Sequence, residues 1–193
     1  YEIEGLASSE VLTIDTPWGA PSDQLVRGSI GDIEFVFLPR HGRGHRLSPT
    51  TVPYRANIDA LKRAGCTDIL SISACGSLQE AYAPCDFVMV DQFIDRTFAR
   101  EKSFFGPGMV AHVSMADPVC LDLAQLVYRT AQDLGIRSHE LDVAGAADLG
   151  EVGVLGQEAV AGVDRLDVGD LGRRDDRGDV QVALGAGSRP DAD

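Results

Sequence analysis

An α/β fold is predicted by three features of the chain. There is a β-rich run over residues 33–38, a helical pattern from Pro53 to Gly65 that leads into a second β-rich run, and a helix start at Asp117-Pro118. Strand, helix, strand, strand, helix in this order lays helices against a sheet.

The first strand, Ile33-Glu34-Phe35-Val36-Phe37-Leu38, is stopped by Pro39, which cannot donate to a sheet ladder. In the helix that follows, Ala56, Ile58, Ala60, Leu61 and Ala64 fall mostly on one face, with Pro53 at its start and Gly65 at its stop. Residues 68–74 form the next strand, centred on Ile69-Leu70-Ser71-Ile72-Ser73, and residues 86–93 another, centred on Phe87-Val88-Met89-Val90. The last helix takes Asp117 as N-cap, runs through Leu121, Leu123, Leu126, Val127 and Leu134, and ends at Gly135. The stretch from Ile33 to Ile72 is long enough for a parallel crossover, which should be right-handed.

Composition divides the chain near Glu140. Residues 141–193 contain no aromatic residue and no Met, Cys, Ile, Lys, Asn, Thr or His. They carry twelve acidic and five basic residues, more than half of the net charge of −13. Without aromatic anchors and with recurring Gly, this tail is expected to be largely disordered. A GC-rich gene read out of frame yields such text, so a frameshift close to Glu140 is the expected origin. A natural acidic Gly/Ala-rich tail is the alternative. The expected domains are thus residues 1–140 and a tail over 141–193.

The acidic balance argues against nucleic acid and anionic membranes as partners. No apolar run reaches the roughly 18 residues of a membrane span, and the start of the chain lacks the basic and apolar regions of a secretion signal. Cys66, Cys75, Cys85 and Cys120 form no C-x-x-C pair, so reduced thiols in the cytoplasm are expected rather than disulfides or zinc.

In open α/β sheets ligands bind beyond the carboxyl ends of strands. After the first strand comes Pro39-Arg40-His41-Gly42-Arg43-Gly44-His45-Arg46, a cationic, glycine-containing segment in an acidic chain. Gly admits close backbone approach and Arg offers a planar fork to phosphate oxygens. A solvated basic loop is the competing reading. His41 and His45 are four apart, but Gly42 and Gly44 oppose the helix that shared metal ligation at that spacing needs. After the second strand, the small residues Ser73-Ala74-Cys75-Gly76-Ser77 leave room for an anion or make an ordinary turn. Cys75 has no base near it in sequence and reads as a small buried thiol. Asp91 and Asp95 are candidate general acids or surface partners of Arg96 and Arg100, and His112, with apolar neighbours, is a core or interface residue.

Taken together these segments resemble one family. Leu38-Pro39-Arg40-His41-Gly42-Arg43-Gly44-His45, the Asn57-Ile58-Ala60-Leu61 helix, Ser73-Ala74-Cys75-Gly76-Ser77-Leu78 and Asp91-Gln92-Phe93-Ile94-Asp95-Arg96-Thr97 stand in the order found in 5'-methylthioadenosine phosphorylases. The last string favours that branch over purine nucleoside phosphorylases acting on inosine or guanosine. The likeness covers about residues 1–140. It implies a purine nucleoside phosphorylase-like mixed sheet flanked by helices, assembled as a homotrimer. It implies conversion of 5'-methylthioadenosine and phosphate to adenine and 5-methylthioribose 1-phosphate, with no metal or organic cofactor and phosphate as co-substrate. By position it implies that Arg40, His41, Ser73 and Ala74 bind phosphate, and that His112 reaches the neighbouring subunit's methylthio pocket.

The pattern also has gaps. Family members start with a strand and a Gly-Gly-Ser/Thr-Gly phosphate loop, and continue into Met-Glu-Gly-Pro-x-Phe-Ser, Met-Thr and purine-binding aspartates; none of these strings occurs here. Asp148, Asp164 and Asp167 lack the surrounding motif, so no purine-binding acid is assigned, and Cys85 replaces the usual Gly of Pro-Gly-Asp. The expectation is an incomplete sheet with exposed apolar surface and little or no turnover. A non-catalytic relic is the third reading.

Overall fold

The computed structural model describes residues 7–73, 77, 79–92, 95, 97, 99–101, 103–140 and 180–185. They fall into two compact units, one built from residues 1–72 and 177–193 and the other from residues 73–176.

The first unit is a five-stranded sheet with one helix. Its elements are β1 (Ala7–Leu12), β2 (Leu25–Ile30), β3 (Ile33–Leu38), α1 (Tyr54–Arg63), β4 (Cys66–Ile72) and, from the tail, a strand at Val180–Gly185. β3 forms as expected, between the Gly31-Asp32 turn and Pro39. That turn joins β2 to β3 in a two-residue hairpin, with Ile30 paired to Ile33 and Gly31 at φ +58°. β1 pairs antiparallel with β2, Leu12 opposite Leu25.

α1 starts one residue after Pro53, whose carbonyl accepts from the Asn57 N–H at 2.9 Å. Lys62 and Arg63 lie in its last turn, where the helix dipole favours cations. Gly65 at φ +92° then turns the chain out, its N–H donating to the Lys62 carbonyl at 3.0 Å. Ala60 and Leu61 pack with Leu25, Val36 and Leu38 as the core. Phe35, on the opposite face of β3, is buried too, so β3 is enclosed on both sides. β4 begins two residues earlier than expected and ends at Ile72, with Ser73 following it and Ala74 outside the described residues.

The sheet order is β1-β2-β3, then Val180–Gly185, then β4. The tail strand runs antiparallel to both β3 and β4. β3 and β4 therefore point the same way, as the crossover required, but are not neighbours. The expected mixed sheet is realised differently, because an opposed strand between β3 and β4 makes every neighbouring pair antiparallel. Within the tail, the six residues Val180–Gly185 form a strand. Paired backbone groups on both sides supply the order that its side-chain composition does not. Residues 141–179 and 186–193 lie outside the described residues.

In the second unit, β5 (Phe87–Val88) pairs in parallel with β6 (Ser138–His139), and α2 (Leu121–Asp133) precedes β6. Of the strand expected over 86–93, whose last residue lies outside the described residues, Phe87–Val88 form a strand on the two residues of β6. The expected cap at Asp117 is also corrected: Cys120 is the N-cap, extended at ψ 103°, and its carbonyl accepts the Ala124 N–H. Pro118 is buried in the approach to the helix instead of forming its first turn. The end is as expected: Gly135, at φ +70°, donates to the Gln132 carbonyl and Ile136 to the Ala131 carbonyl, a Schellman closure. With Val180–Gly185 numbered last, as β7, the described residues hold seven strands and two helices.

Asp86 knits this unit together. Its Oδ2 lies 2.7 Å from His139 Nε2 and 3.1 Å from Arg137 Nε, and accepts the Ala83 N–H at 2.9 Å. Tyr82 lies against the His139 ring, with centroids 4.3 Å apart. The His139 hydrogen bond, with the Ala83 N–H and the Arg137 charge, holds the Asp86 carboxyl below its ordinary value despite its enclosure. A depressed carboxylate stabilises the fold above the usual carboxylate range and loses that contribution as pH falls. Urea unfolding followed from neutral to acid pH should therefore show an acid-side fall that Asp86→Asn reduces. An identical fall in the variant would contradict this role.

Cys85, beside it, sits at φ +73°, a conformation in which a Cβ is strained. Because the side chain is exposed, Cys85→Gly should remove that strain at no packing cost and raise stability by up to about 1 kcal/mol, the relieved strain less the backbone entropy glycine loses on folding. A lowered urea midpoint would contradict it.

Candidate phosphate site

The segment after β3 folds as two successive turns. The Gly42 N–H donates to the Pro39 carbonyl at 2.8 Å and the His45 N–H to the Gly42 carbonyl at 3.0 Å. Gly42 (φ +73°), Gly44 (φ +75°) and His45 (φ +52°) all take left-handed backbone, which is why two glycines stand in so short a stretch. A Cβ on Gly42 would come within 2.9 Å of Arg46 Nε.

This fold carries Arg40 inward to zero exposure, and His41 is nearly as enclosed at 5%. Arg40 donates from Nη1 to Ser71 Oγ at 3.2 Å, so the guanidinium is held between the end of β3 and β4. His41 Nδ1 lies 2.7 Å from the Leu47 carbonyl. A carbonyl only accepts, so Nδ1 carries the proton, and in the neutral ring Nε2 is the acceptor end. A buried guanidinium and an oriented imidazole on one loop suit an anion with several oxygens. The solvated-loop reading does not fit Arg40.

The rings of His41 and His45 stack with centroids 4.4 Å apart and planes 8° from parallel. Nitrogen lone pairs lie in the ring planes, so rings stacked this way do not converge on one ion. Among the described residues no group of three His, Cys, Asp or Glu is placed to hold a metal.

The loop is fastened from below by Asn57 of the family-like helix segment and by Ser22 and Asp23, which no sequence pattern singled out. Asn57 of α1 accepts the Ser22 N–H at Oδ1 (2.7 Å) and donates from Nδ2 to Ser22 Oγ (2.9 Å), both residues being buried. The Ser22 carbonyl accepts from Arg46 Nη2. Asp23 Oδ2 accepts the Arg43 N–H at 2.7 Å, and Oδ1 accepts the Gln24 N–H at 2.8 Å. Burial pushes the Asp23 carboxyl up, but those two N–H groups and the charges of Arg43 and Arg46 outweigh it and hold it below its ordinary value.

Ser73 is exposed and belongs to the second unit, and Ala74 and Cys75 lie outside the described residues. His112 is also in the second unit, on an exposed stretch from Gly106 to Asp117. Gln92 of the Asp91–Thr97 string donates to the Met115 and Ala116 carbonyls at 3.0 and 3.2 Å, and so ties the string to that stretch. Asp95 Oδ1 accepts from the Thr97 N–H and Oγ1 in a local turn. Asp91 Oδ1 is buried with no hydrogen-bond partner among the described residues. Phe93, Ile94, Arg96 and the tail aspartates Asp148, Asp164 and Asp167 lie outside the described residues. Burial pushes the Cys66 thiol up to about 11, which keeps it protonated.

The chain has close relatives among known proteins. The sequence pattern of the phosphorylase superfamily covers residues 1–147, and the chain belongs to that superfamily. Within it, the chain is 59% identical over 140 residues to the S-methyl-5'-thioadenosine phosphorylase of Cereibacter sphaeroides, covering 72% of this chain and 48% of that protein. It is 60% identical over 136 residues to the enzyme of the same name from Rhodospirillum rubrum, covering 70% of this chain and 46% of that protein. The crystal structure of a methylthioadenosine phosphorylase from an antarctic soil metagenomic library superposes with a TM-score of 0.70 at 45% identity, over 74% of this chain and 52% of that one. The Schistosoma mansoni methylthioadenosine phosphorylase in complex with adenine gives 0.65 at 40% identity, over 70% of this chain and 58% of that one. The chain thus spans about half the length of the curated relatives it matches.

The Ser22–Asn57 pair yields a direct test. Asn57→Ala leaves the buried Ser22 N–H without its acceptor and should cost about 1–3 kcal/mol, read as a lower urea midpoint. An unchanged midpoint would refute the pairing.

Proposed function

We propose that this chain supplies the phosphate-holding part of a phosphorylase that cleaves 5'-methylthioadenosine to adenine and 5-methylthioribose 1-phosphate. The observation that carries the reading is the fully buried Arg40, presented with His41 by a glycine-turned loop at a strand end. The names of the relatives and the Asp91–Thr97 string favour 5'-methylthioadenosine over inosine or guanosine.

Glycosidic cleavage builds positive charge on the ribose and negative charge on the leaving purine. A held phosphate dianion stabilises the first charge and is also the nucleophile. In this reading Arg40 and His41 fix the phosphate, and Ser73 and Ala74 are further phosphate contacts by their position in the family pattern. An acid near the purine shares a proton with N7, and no residue of this chain is assigned that role. The reaction needs neither metal nor organic cofactor, because phosphate is the co-substrate. Its place would be purine and methionine salvage in the cytoplasm, consistent with the free Cys66, Cys85 and Cys120.

The assembly proposed is a homotrimer, with His112 reaching a neighbouring subunit's pocket. Phe104, Phe105, Met109, Val110, Val113 and Met115 are all substantially exposed in the stretch around His112. A partner surface there would remove that apolar area from water.

Calorimetric titration of the 193-residue chain with inorganic phosphate, together with assays of adenine release from 5'-methylthioadenosine and hypoxanthine release from inosine, tests the proposal. Phosphate binding that Arg40→Gln abolishes is expected. Adenine release, if present, should exceed hypoxanthine release. Binding with no purine release identifies a non-catalytic phosphate binder. Preferential cleavage of inosine, or no phosphate binding at all, overturns the reading.

A further inference from the structure

We infer that Asp23, an acidic residue, is a positioning residue for phosphate: it sets the shape of the Pro39–Arg46 loop and so strengthens the binding of an anion. The inference rests on the reading of Arg40 and His41 as phosphate ligands. Three left-handed residues in four, one of them His45, are a costly arrangement for a loop to hold unaided. The loop's own hydrogen bonds bracket its ends: Gly42 to Pro39, His45 to Gly42, and Leu47 to His41. At its tip, the Arg43 N–H donates to Asp23 Oδ2 at 2.7 Å.

Asp23 is itself held. Its other oxygen accepts the Gln24 N–H, and its neighbour Ser22 is pinned to Asn57 of α1 on one side and to Arg46 on the other. The carboxylate therefore transmits the position of the β1–β2 connection, and through Asn57 that of α1, to the tip of the loop. With the tip fixed, His45 stacks on His41, and His41 in turn donates to Leu47. Releasing the tip lets Gly42 and Gly44 explore other backbone states and uncouples both imidazoles from Arg40.

Charge and position predict opposite signs, which makes the inference decidable. By Coulomb's law alone, removing an anion beside a cationic loop strengthens phosphate binding. By positioning, it weakens binding, because side chains no longer held in place must be ordered when the anion binds.

The experiment is a calorimetric titration of the full chain with inorganic phosphate at neutral pH, for the unaltered protein and the variants Asp23→Ala, Asp23→Asn and Arg40→Gln. In parallel, the ring protons of His41 and His45 and the amides of α1 are followed by NMR. The expected result is an affinity about ten- to hundredfold weaker in Asp23→Ala, the cost of ordering the two histidines on binding. Asp23→Asn, which keeps a carbonyl acceptor, should fall between. The two histidine signals should shift while those of α1 stay in place, a separation that general destabilisation would not produce. If Asp23→Ala does not fold, Asp23→Asn carries the test alone. Equal or tighter binding in the folded Asp23 variants, with binding lost in Arg40→Gln, overturns the positioning role and leaves the phosphate reading intact. No binding by the unaltered chain overturns both.

Discussion

The reciprocal hydrogen bonds between Ser22 and Asn57 are the constraint on which the first unit depends. They join the connection before β2 to the buried face of α1, across 35 residues of sequence. Because both partners are enclosed, each satisfies a group that would otherwise be costly to bury. The pair fixes the height of α1 over the sheet, and the same Ser22 offers its carbonyl to Arg46. Core packing of Leu25, Val36, Leu38, Ala60 and Leu61 is non-directional and tolerates small slides. The polar pair does not, and it turns a packed helix into one with a defined position.

From that position follows the electrostatic character of the loop. A chain with a net charge of −13 would be a poor host for an anion at most places on its surface. At the end of β3, Arg40 is withdrawn from solvent, with Arg43 and Arg46 nearby engaging Asp23 and Ser22. One acidic residue is thus used to order a basic loop. Local geometry, not global charge, decides what this region attracts.

Where neighbours in sequence decide the outcome, the sequence was readable. Pro39 ended β3, Gly65 and Gly135 ended both helices, and Arg40 and His41 stood at a strand end where ligands are expected. Where partners are distant, it was not. β2 contains Arg27, Gly28 and Ser29, which weaken its β signal, although the Gly31-Asp32 dipeptide before β3 is a hairpin mark. Asp117-Pro118 has the local chemistry of a helix start, but Pro118 is buried and the helix begins beyond it. Ser22, Asp23 and Ser71 carry no site motif, Asn57 was read only as part of a helix segment, and each matters through a contact 20 to 35 residues away. The strand at Val180–Gly185 was least readable, since its order comes from two strands far upstream.

That strand also sets a timetable. Residues 34–38 and 66–72 pair with residues 180–185, so the sheet closes only after residue 185 has been made. During synthesis, at roughly 5–20 residues per second, β3 and β4 wait for seconds with their facing backbone edges open. Pairings of such sequence separation form late and slowly. The growing chain is therefore most vulnerable to wrong partners in that interval, and its yield of folded protein should depend on whatever shields those edges on the ribosome.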